Sequence, residues 1–202
     1  MEAEVGALRR IQSSARSTRN IVAAMSTQPA PFLWLCGPSE VGKSAVGWEI
    51  FSRLIQAGIA ACYLDTDQIG LCYPPPPQDP GNNHLMAANL AAMWPNYQAE
   101  GARCLIVSGC IDTPDLVPVY TAIPATGLTL CRLRADREIL RDRFLRRGRY
   151  TDLIEAVQQE GDALDRSDFA PLCIDTTEMP APRVADVILE KTGGWPGLDG
   201  DQ

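Results

Sequence analysis

The chain alternates short apolar runs with longer segments of helical periodicity. Phe32-Leu33-Trp34-Leu35-Cys36, Ala60-Ala61-Cys62-Tyr63-Leu64, Cys104-Leu105-Ile106-Val107-Ser108-Gly109, Thr129 to Leu133 and Leu172-Cys173-Ile174-Asp175 predict five strands. The third run is nearly all apolar, as in a strand covered on both faces. Between the first two runs, Ala45 to Ala57 places Val46, Ile50 and Leu54 on one helical face and stops at Gly58. Helical patterns recur over His84 to Ala99, interrupted near Pro95, and over Asp136 to Arg147, closed by Gly148. Two more cover 152–164 and Arg183 to Lys191, the last ended by Gly193-Gly194. Strands alternating with helices imply right-handed crossovers, and so an α/β fold around a parallel sheet.

Breakers divide the chain. Gln28-Pro29-Ala30-Pro31 ends any preceding helix and delivers the chain to the first strand. Ahead of it, Val5, Leu8 and Ile11 with Arg9, Arg10, Arg16 and Arg19 form an amphipathic pattern, either an accessory helix or a flexible arm over 1–29. One domain is expected over 30–192. Its longest irregular segment is Cys72 to Asn83, which holds four consecutive prolines and Pro80-Gly81. Residues 193–202, rich in Gly, Pro and Asp, read as a loose tail.

The most specific signal is Gly37-Pro38-Ser39-Glu40-Val41-Gly42-Lys43-Ser44, which fits G-x-x-x-x-G-K-[ST] between the first strand and a helix opening at Ala45. A loop that closes around a diphosphate must turn its backbone N–H groups inward. Glycines at both ends tolerate the dihedrals and the close approach this needs. Lys43 then reaches the β and γ phosphates, the Ser44 hydroxyl sits on Mg²⁺, and the helix N-terminus adds its partial positive charge.

Composition narrows the class. At 202 residues the chain suits one α/β domain, and no apolar run approaches the ~18 residues of a membrane span. The segment Ile11 to Ile21 is too polar for the core of a secretion signal, so a cytoplasmic protein without a membrane partner is expected. A net charge of −7 argues against nucleic acid as a partner and favours small-molecule work. The seven cysteines form no C-x-x-C pair and lie mostly in strand-like runs, where they read as small core residues.

Ligands in open parallel sheets gather at the carboxyl ends of the strands, which singles out further residues. Asp65-Thr66-Asp67 leaves the second strand with two carboxylates. Asp65 suits a metal or positioning role and Asp67 that of the base for a substrate hydroxyl. After the third strand, Ser108 or Asp112 could assist the metal, and Gly109 lies beside the acceptor. Arg132, Arg134, Arg137, Arg141, Arg143, Arg146, Arg147 and Arg149 form a basic run. Most read as surface arginines paired with acids such as Asp142 and Glu138. One or two are expected to act as lid donors on a transferring phosphoryl group, with Arg147 and Arg149 foremost and Arg143 one turn before Arg147. His84, the one histidine, reads first as a helix-start or surface residue, although its loop is where an acceptor would lie. Trp94 and Tyr97 read as core residues before acceptor-pocket ones.

Taken in order, the phosphate loop, Asp-x-Asp, Arg-rich helix ending in Arg147-Gly148 and Ile174-Asp175-Thr176-Thr177 resemble the small-molecule branch of the phosphate-loop kinases, over about residues 32–191. Shikimate, gluconate and adenylylsulfate kinases and chloramphenicol phosphotransferase belong to it. The resemblance implies a three-layer P-loop NTPase fold, nucleoside monophosphate kinase-like, with a five-stranded parallel sheet, Mg·ATP as donor and a closing lid. It carries Asp65 and Asp67 onto the family's Asp-x-Asp, Arg147 or Arg143 onto its lid arginine, and Thr176 to Pro182 onto its adenine loop. That gives Thr177, Ala45 and Arg149 a place in nucleotide binding. Ser108-Gly109-Cys110 does not match the double-glycine pocket of shikimate kinase, and the Pro74 to Pro77 loop has no counterpart. The reading is an ATP-dependent phosphotransferase acting on a hydroxyl of a small acceptor. Residues 68–102 contain no arginine or lysine, so the acceptor is expected to be uncharged or cationic rather than phosphorylated. The alternatives are a nucleoside or nucleotide kinase and a nucleotide-dependent regulatory protein, the guanine form of which would show an N-K-x-D that the chain lacks.

Overall fold

The computed structural model describes residues 29–111, 114–123, 126–148, 153–167 and 169–198. In chain order the elements are β1 Ala30–Cys36, α1 Lys43–Gln56, β2 Ala61–Asp65, α2 Thr66–Ile69, α3 Asn83–Ala99 and β3 Cys104–Ser108. A 3₁₀ turn at Pro114–Leu116 leads into α4 Val117–Thr121, followed by β4 Thr126–Arg134, α5 Arg137–Arg147, α6 Ile154–Ser167, β5 Leu172–Asp175 and α7 Ala181–Lys191. The five strands form one sheet in the order β2-β3-β1-β4-β5, every pair parallel.

The alternation of side chains along β1 builds the two outer layers. Leu33 and Leu35 point to the face covered by Val46, Ile50 and Leu54 of α1 and by Val184 and Ile188 of α7. Phe32, Trp34 and Cys36 point to the opposite face, against Leu90 and Trp94 of α3 and Tyr120 of α4. Every β1 residue from Phe32 to Cys36 is fully buried, which is why that run shows no polar position. Arg53 stitches α1 to α7 by donating to Glu49, Asp186 and the carbonyl of Pro182.

Several boundaries differ from the sequence pattern. α3 continues through Pro95 to Ala99, because a helix with Leu90 and Trp94 fully buried against the sheet is held by packing that outweighs one missing N–H. β4 begins at Thr126 rather than Thr129, and its extra residues pair with the equally early start of β1 at Ala30. α4, with Pro118 at its second position, carries no helical pattern long enough to read. The chain past α7 is packed: Trp195 is 7% exposed and joins the core beside Ile188, so the tail expected from 193 starts no earlier than 199, outside the described residues. The arm over 1–28 lies outside them too. Among the described residues no helix is long and apolar enough to cross a membrane.

Burial also governs the thiols. Cys36, Cys62 and Cys104 lie in the sheet, and desolvation pushes each thiol up to about 12; Cys131 is raised likewise. Cys72 and Cys173 are exposed and Cys110 is half-buried. An aromatic disulfide reagent at pH 8 should therefore modify Cys72 and Cys173 promptly, Cys110 more slowly, and the four buried thiols only in denaturant. Seven fast thiols in the folded chain would contradict this packing.

Candidate active site

The site grows from the turn between β1 and α1. Gly37 has φ 138° and Gly42 φ 103°, and Glu40 between them sits at φ 64°, so the loop winds through a left-handed region that only glycine enters freely. Gly37 also lies so close to the main chain of Leu133 that a Cβ would run into that residue's carbonyl oxygen. Lys43 is buried, and its Nζ donates to the carbonyls of Gly37 (2.8 Å) and Pro38 (3.0 Å), which folds the ammonium back across the loop. Cationic charge thus lies inside the ring formed by 37–44, with the first amides of α1 adjoining. Ala45 is exposed in the first turn of that helix.

On the β2 and β3 side, Ser44 Oγ donates to Asp65 Oδ2 at 2.7 Å. Ser108 Oγ donates to the same oxygen at 3.1 Å, and the Asp67 amide donates to Asp65 Oδ1 at 3.1 Å. Asp65 therefore caps α2 while gathering both serines. The two carboxylates do not alternate along a strand as expected from Asp-x-Asp: Asp65 ends β2, whereas Asp67 lies exposed in the first turn of α2. Thr66 between them is buried, and its hydroxyl occupies the space a side chain on Gly109 would need. Only glycine lets the end of β3 close on the Asp-x-Asp turn. The Gly109 amide donates to the Leu35 carbonyl at 3.1 Å, which binds that corner to β1.

The oxygen-only pair of Ser44 and Asp65 fits Mg²⁺, a hard cation that takes one or two protein oxygens and completes its shell with phosphates and water. Consistent with that mode, no group of three or more His, Cys, Asp or Glu side chains gathers among the described residues. Asp112 lies outside them, and of the two alternatives after β3 it is Ser108 that touches Asp65.

On the β4 and β5 side two arginines of α5 hold the loop. Arg143 donates to the Thr176 carbonyl (2.7 Å), to Thr176 Oγ1 (3.2 Å) and to the Val41 carbonyl (3.3 Å). Thr176 Oγ1 donates to that same Val41 carbonyl at 3.1 Å. Arg147 pairs with Glu40 at 3.0 Å. Arg143 thereby serves as a clamp between the loop and the chain after β5, while Arg147, one turn on and largely exposed, stands at the loop's rim. The Ser39 amide donates to Glu160 of α6 at 3.3 Å, an acidic oxygen where a phosphate oxygen would be received. Thr177 accepts from the Asp136 amide and donates its own amide to Asp175, which shapes the start of the 176–180 loop. Although burial opposes it, hydrogen bonds from the Thr177 side chain and amide, and the nearby Arg134 and Arg143, hold the Asp175 carboxyl below its ordinary value.

Three more arginines of the run take acidic partners, none of them Asp142 or Glu138. Arg132 is buried and pairs with Asp165 at 2.6 Å, Arg134 with Asp175, and Arg137 with Asp162. Those acids come from α6 and β5, distant in sequence, so helix spacing gave no sign of them. Arg149 lies outside the described residues. His84 is exposed in the first turn of α3 beside Asp79, whose carboxylate receives the Asn83 and His84 amides; it does not line the cleft that opens at Ser44. That cleft, about 500 Å³, runs from Ser44 and Asp65 along Trp48, Tyr63, Leu64, Gln68 and Ile69. Trp48, Tyr63 and Gln68 were not foreseen. Trp48 follows Ser44 by four residues, the one signal that could have placed it on the same helix face.

No family model and no curated protein sequence matches the chain. The fold, however, is found in solved structures, several of them kinases. The Deinococcus radiodurans tunicamycin resistance protein superimposes with a TM-score of 0.61 at 22% identity, over 81% of this chain and 96% of that one. A gluconokinase from Sinorhizobium meliloti matches with a TM-score of 0.59 at 14% identity (82% and 93%). Shikimate kinase from Acinetobacter baumannii matches with a TM-score of 0.57 at 17% identity (87% and 98%). The α/β architecture with a five-stranded parallel sheet is thus a P-loop fold shared with the gluconokinase and shikimate kinase structures.

Removing the clamp tests its part in shaping the loop. Arg143→Ala should lower the urea-unfolding free energy by about 2 kcal/mol, and Thr176→Val by about 1 kcal/mol, since each strips hydrogen bonds from half-buried or buried carbonyls. Unchanged midpoints in both variants would show that the loop is held elsewhere.

Proposed function

We propose that the protein is an ATP-dependent kinase that moves the γ-phosphoryl group of Mg·ATP to a hydroxyl of a small, non-phosphorylated acceptor. The observation that carries this reading is the convergence of Ser44 on Asp65 at 2.7 Å, beside the buried Lys43 and with Asp67 two residues onward. A binding protein needs the loop and the serine; a second, exposed carboxylate next in sequence to Gln68 of the cleft wall suits a substrate hydroxyl. The likeness in fold to kinases named for shikimate, gluconate and sugars supports the same class.

Phosphoryl transfer spreads negative charge over the moving group and asks for positioning and charge stabilisation more than for covalent help. In this reading the amides of 37–44 and the Lys43 ammonium hold the donor phosphates. Ser44 and Asp65 would hold Mg²⁺, which would supply neutralisation of the charge on the phosphates. Asp67 orients the acceptor hydroxyl and takes its proton as the new P–O bond forms and the bond to the departing ADP oxygen breaks. Arg147 exchanges Glu40 for the transferring group when the rim closes, and Arg143 keeps the Val41 carbonyl turned out of the phosphates' way. The amide of Ser39 leaves Glu160 for a phosphate oxygen in the same movement.

Asp67→Asn removes the proton acceptor while retaining the size of the side chain. With an acceptor found by screening hydroxyl compounds for ATP consumption and phosphorylated product, kcat should fall about 10²-fold while the dissociation constant for Mg·ATP changes little. Full activity in the variant would dismiss Asp67 as the base. ATP hydrolysis that never yields a phosphorylated acceptor would favour a nucleotide-dependent switch.

A further inference from the structure

The cleft has two chemically different ends, and helix geometry fixes the span between them. Ser44 and Asp65 form the polar end. Trp48 lies one turn beyond Ser44 on α1, and Ile69 one turn beyond Asp65 through α2, so both walls turn apolar at the same depth, roughly 5–6 Å on. Trp48 is 59% exposed, an unusual place for an indole without a partner surface, and its ring is backed by Phe51 (centroids 5.5 Å) and Tyr63 (6.1 Å). Those neighbours stiffen one flat wall. Tyr63 is fixed in turn, its phenol oxygen 2.7 Å from Ser108 Oγ.

Charge in the cleft is one-sided. None of its described lining residues is basic, Asp65 is acidic, and residues 68–102 of the full sequence hold no lysine or arginine. An acceptor carrying a carboxylate or phosphate would find no basic residue lining the cleft to answer it. Leaving such a group without a cationic partner on desolvation weakens binding by about tenfold or more. A volume of about 500 Å³ is small for a ligand site and suits a one- or two-ring molecule.

We propose that the acceptor is an uncharged aromatic alcohol, its ring stacked on Trp48 across from Ile69 and its hydroxyl directed to the Ser44–Asp65 end. The inference rests on the kinase reading for the identity of the polar end, and it adds the class of molecule that the other end selects. Gln68, on the same wall as Ile69, is then an uncharged polar side chain within reach of a ring substituent and so contributes to specificity.

The test uses a matched pair of probes, 2-naphthylmethanol and 6-hydroxymethyl-2-naphthoate, with the full-length chain in Mg·ADP. Both dissociation constants are measured by titration, and both phosphoryl-transfer rates are measured with Mg·ATP. The neutral alcohol should bind about tenfold or more tightly than its carboxylate twin. Trp48→Ala should weaken the neutral probe about tenfold, and Gln68→Arg should recover the carboxylate probe by a similar factor. Both side chains are exposed, so melting temperatures within a few degrees of the parent serve as the control for folding. Equal binding of the twins, tighter binding of the carboxylate, or indifference to Trp48→Ala would overturn the inference. Mg·ATP binding retained alongside any of these results would leave the kinase reading standing, whereas absence of Mg·ATP binding would remove both.

Discussion

The Val41 carbonyl accepts hydrogen bonds from Arg143 and from Thr176 at once, and the arrangement of the site follows from that junction. A phosphate loop has to aim its N–H groups inward, so its carbonyls must turn outward and find donors elsewhere. Here the donors come from α5 and from the residue that follows β5. Gly37 makes the complementary contact by lying against the Leu133 main chain, where any side chain would force the loop away from β4. The curl of 37–44 is thus held from outside by β4, β5 and α5, while Lys43 pulls its own first carbonyls together from within.

Strand order supplies the other half. With β1 flanked by β3 and β4, and β2 beyond β3, the Ser44 hydroxyl at the start of α1 comes within reach of the last residue of β2 across the end of β3. Gly109 and Thr66 make that reach possible because the chain leaving β3 has no side chain to keep the two corners apart. One side of the loop is therefore set by positively charged donors and the other by acceptors. A donor triphosphate and a metal would divide between them in that way. The fully buried β1, packed on both faces, gives this end of the sheet the rigidity that such placement requires.

The parts of this design legible in the sequence are those whose spacing is local. The phosphate loop, the strand runs and Asp65 could be placed because each is a short pattern with a mechanism attached. Ser44 and Asp65 meet at 2.7 Å, with Lys43 turned back on the loop carbonyls beside them. The roles of the arginines were legible only as a group: which acids they meet depends on α6 and β5 lying beside α5, a long-range fact that helical spacing cannot carry. The same holds for Arg143, read as a donor to phosphate and found bonded to carbonyls at 41 and 176. Trp195 escaped because Gly- and Pro-rich composition predicts a loose chain, whereas the glycines at 193, 194 and 197 have positive φ and fold the chain back so that the indole reaches the core. The cleft wall escaped because Trp48 stands off the Val46, Ile50 and Leu54 face of α1, and only its exposure beside Tyr63 marks it as part of the cleft.

Glu160 and Glu40 place carboxylates on the loop amide and the rim arginine that phosphates would claim. Binding of a nucleotide then becomes an exchange of anions rather than the filling of a preset charge, which lowers the net electrostatic gain and makes closure of the rim part of binding. The central claim is that 37–44 with Lys43 and Ser44 grips a triphosphate tail. Calorimetric titration of the purified chain with ATP, with and without Mg²⁺, tests it most directly. The account predicts one site that Mg²⁺ strengthens and that Lys43→Met removes. Absence of heat with every ribonucleoside triphosphate in the presence of Mg²⁺, or titration curves that Lys43→Met leaves unaltered, would contradict it.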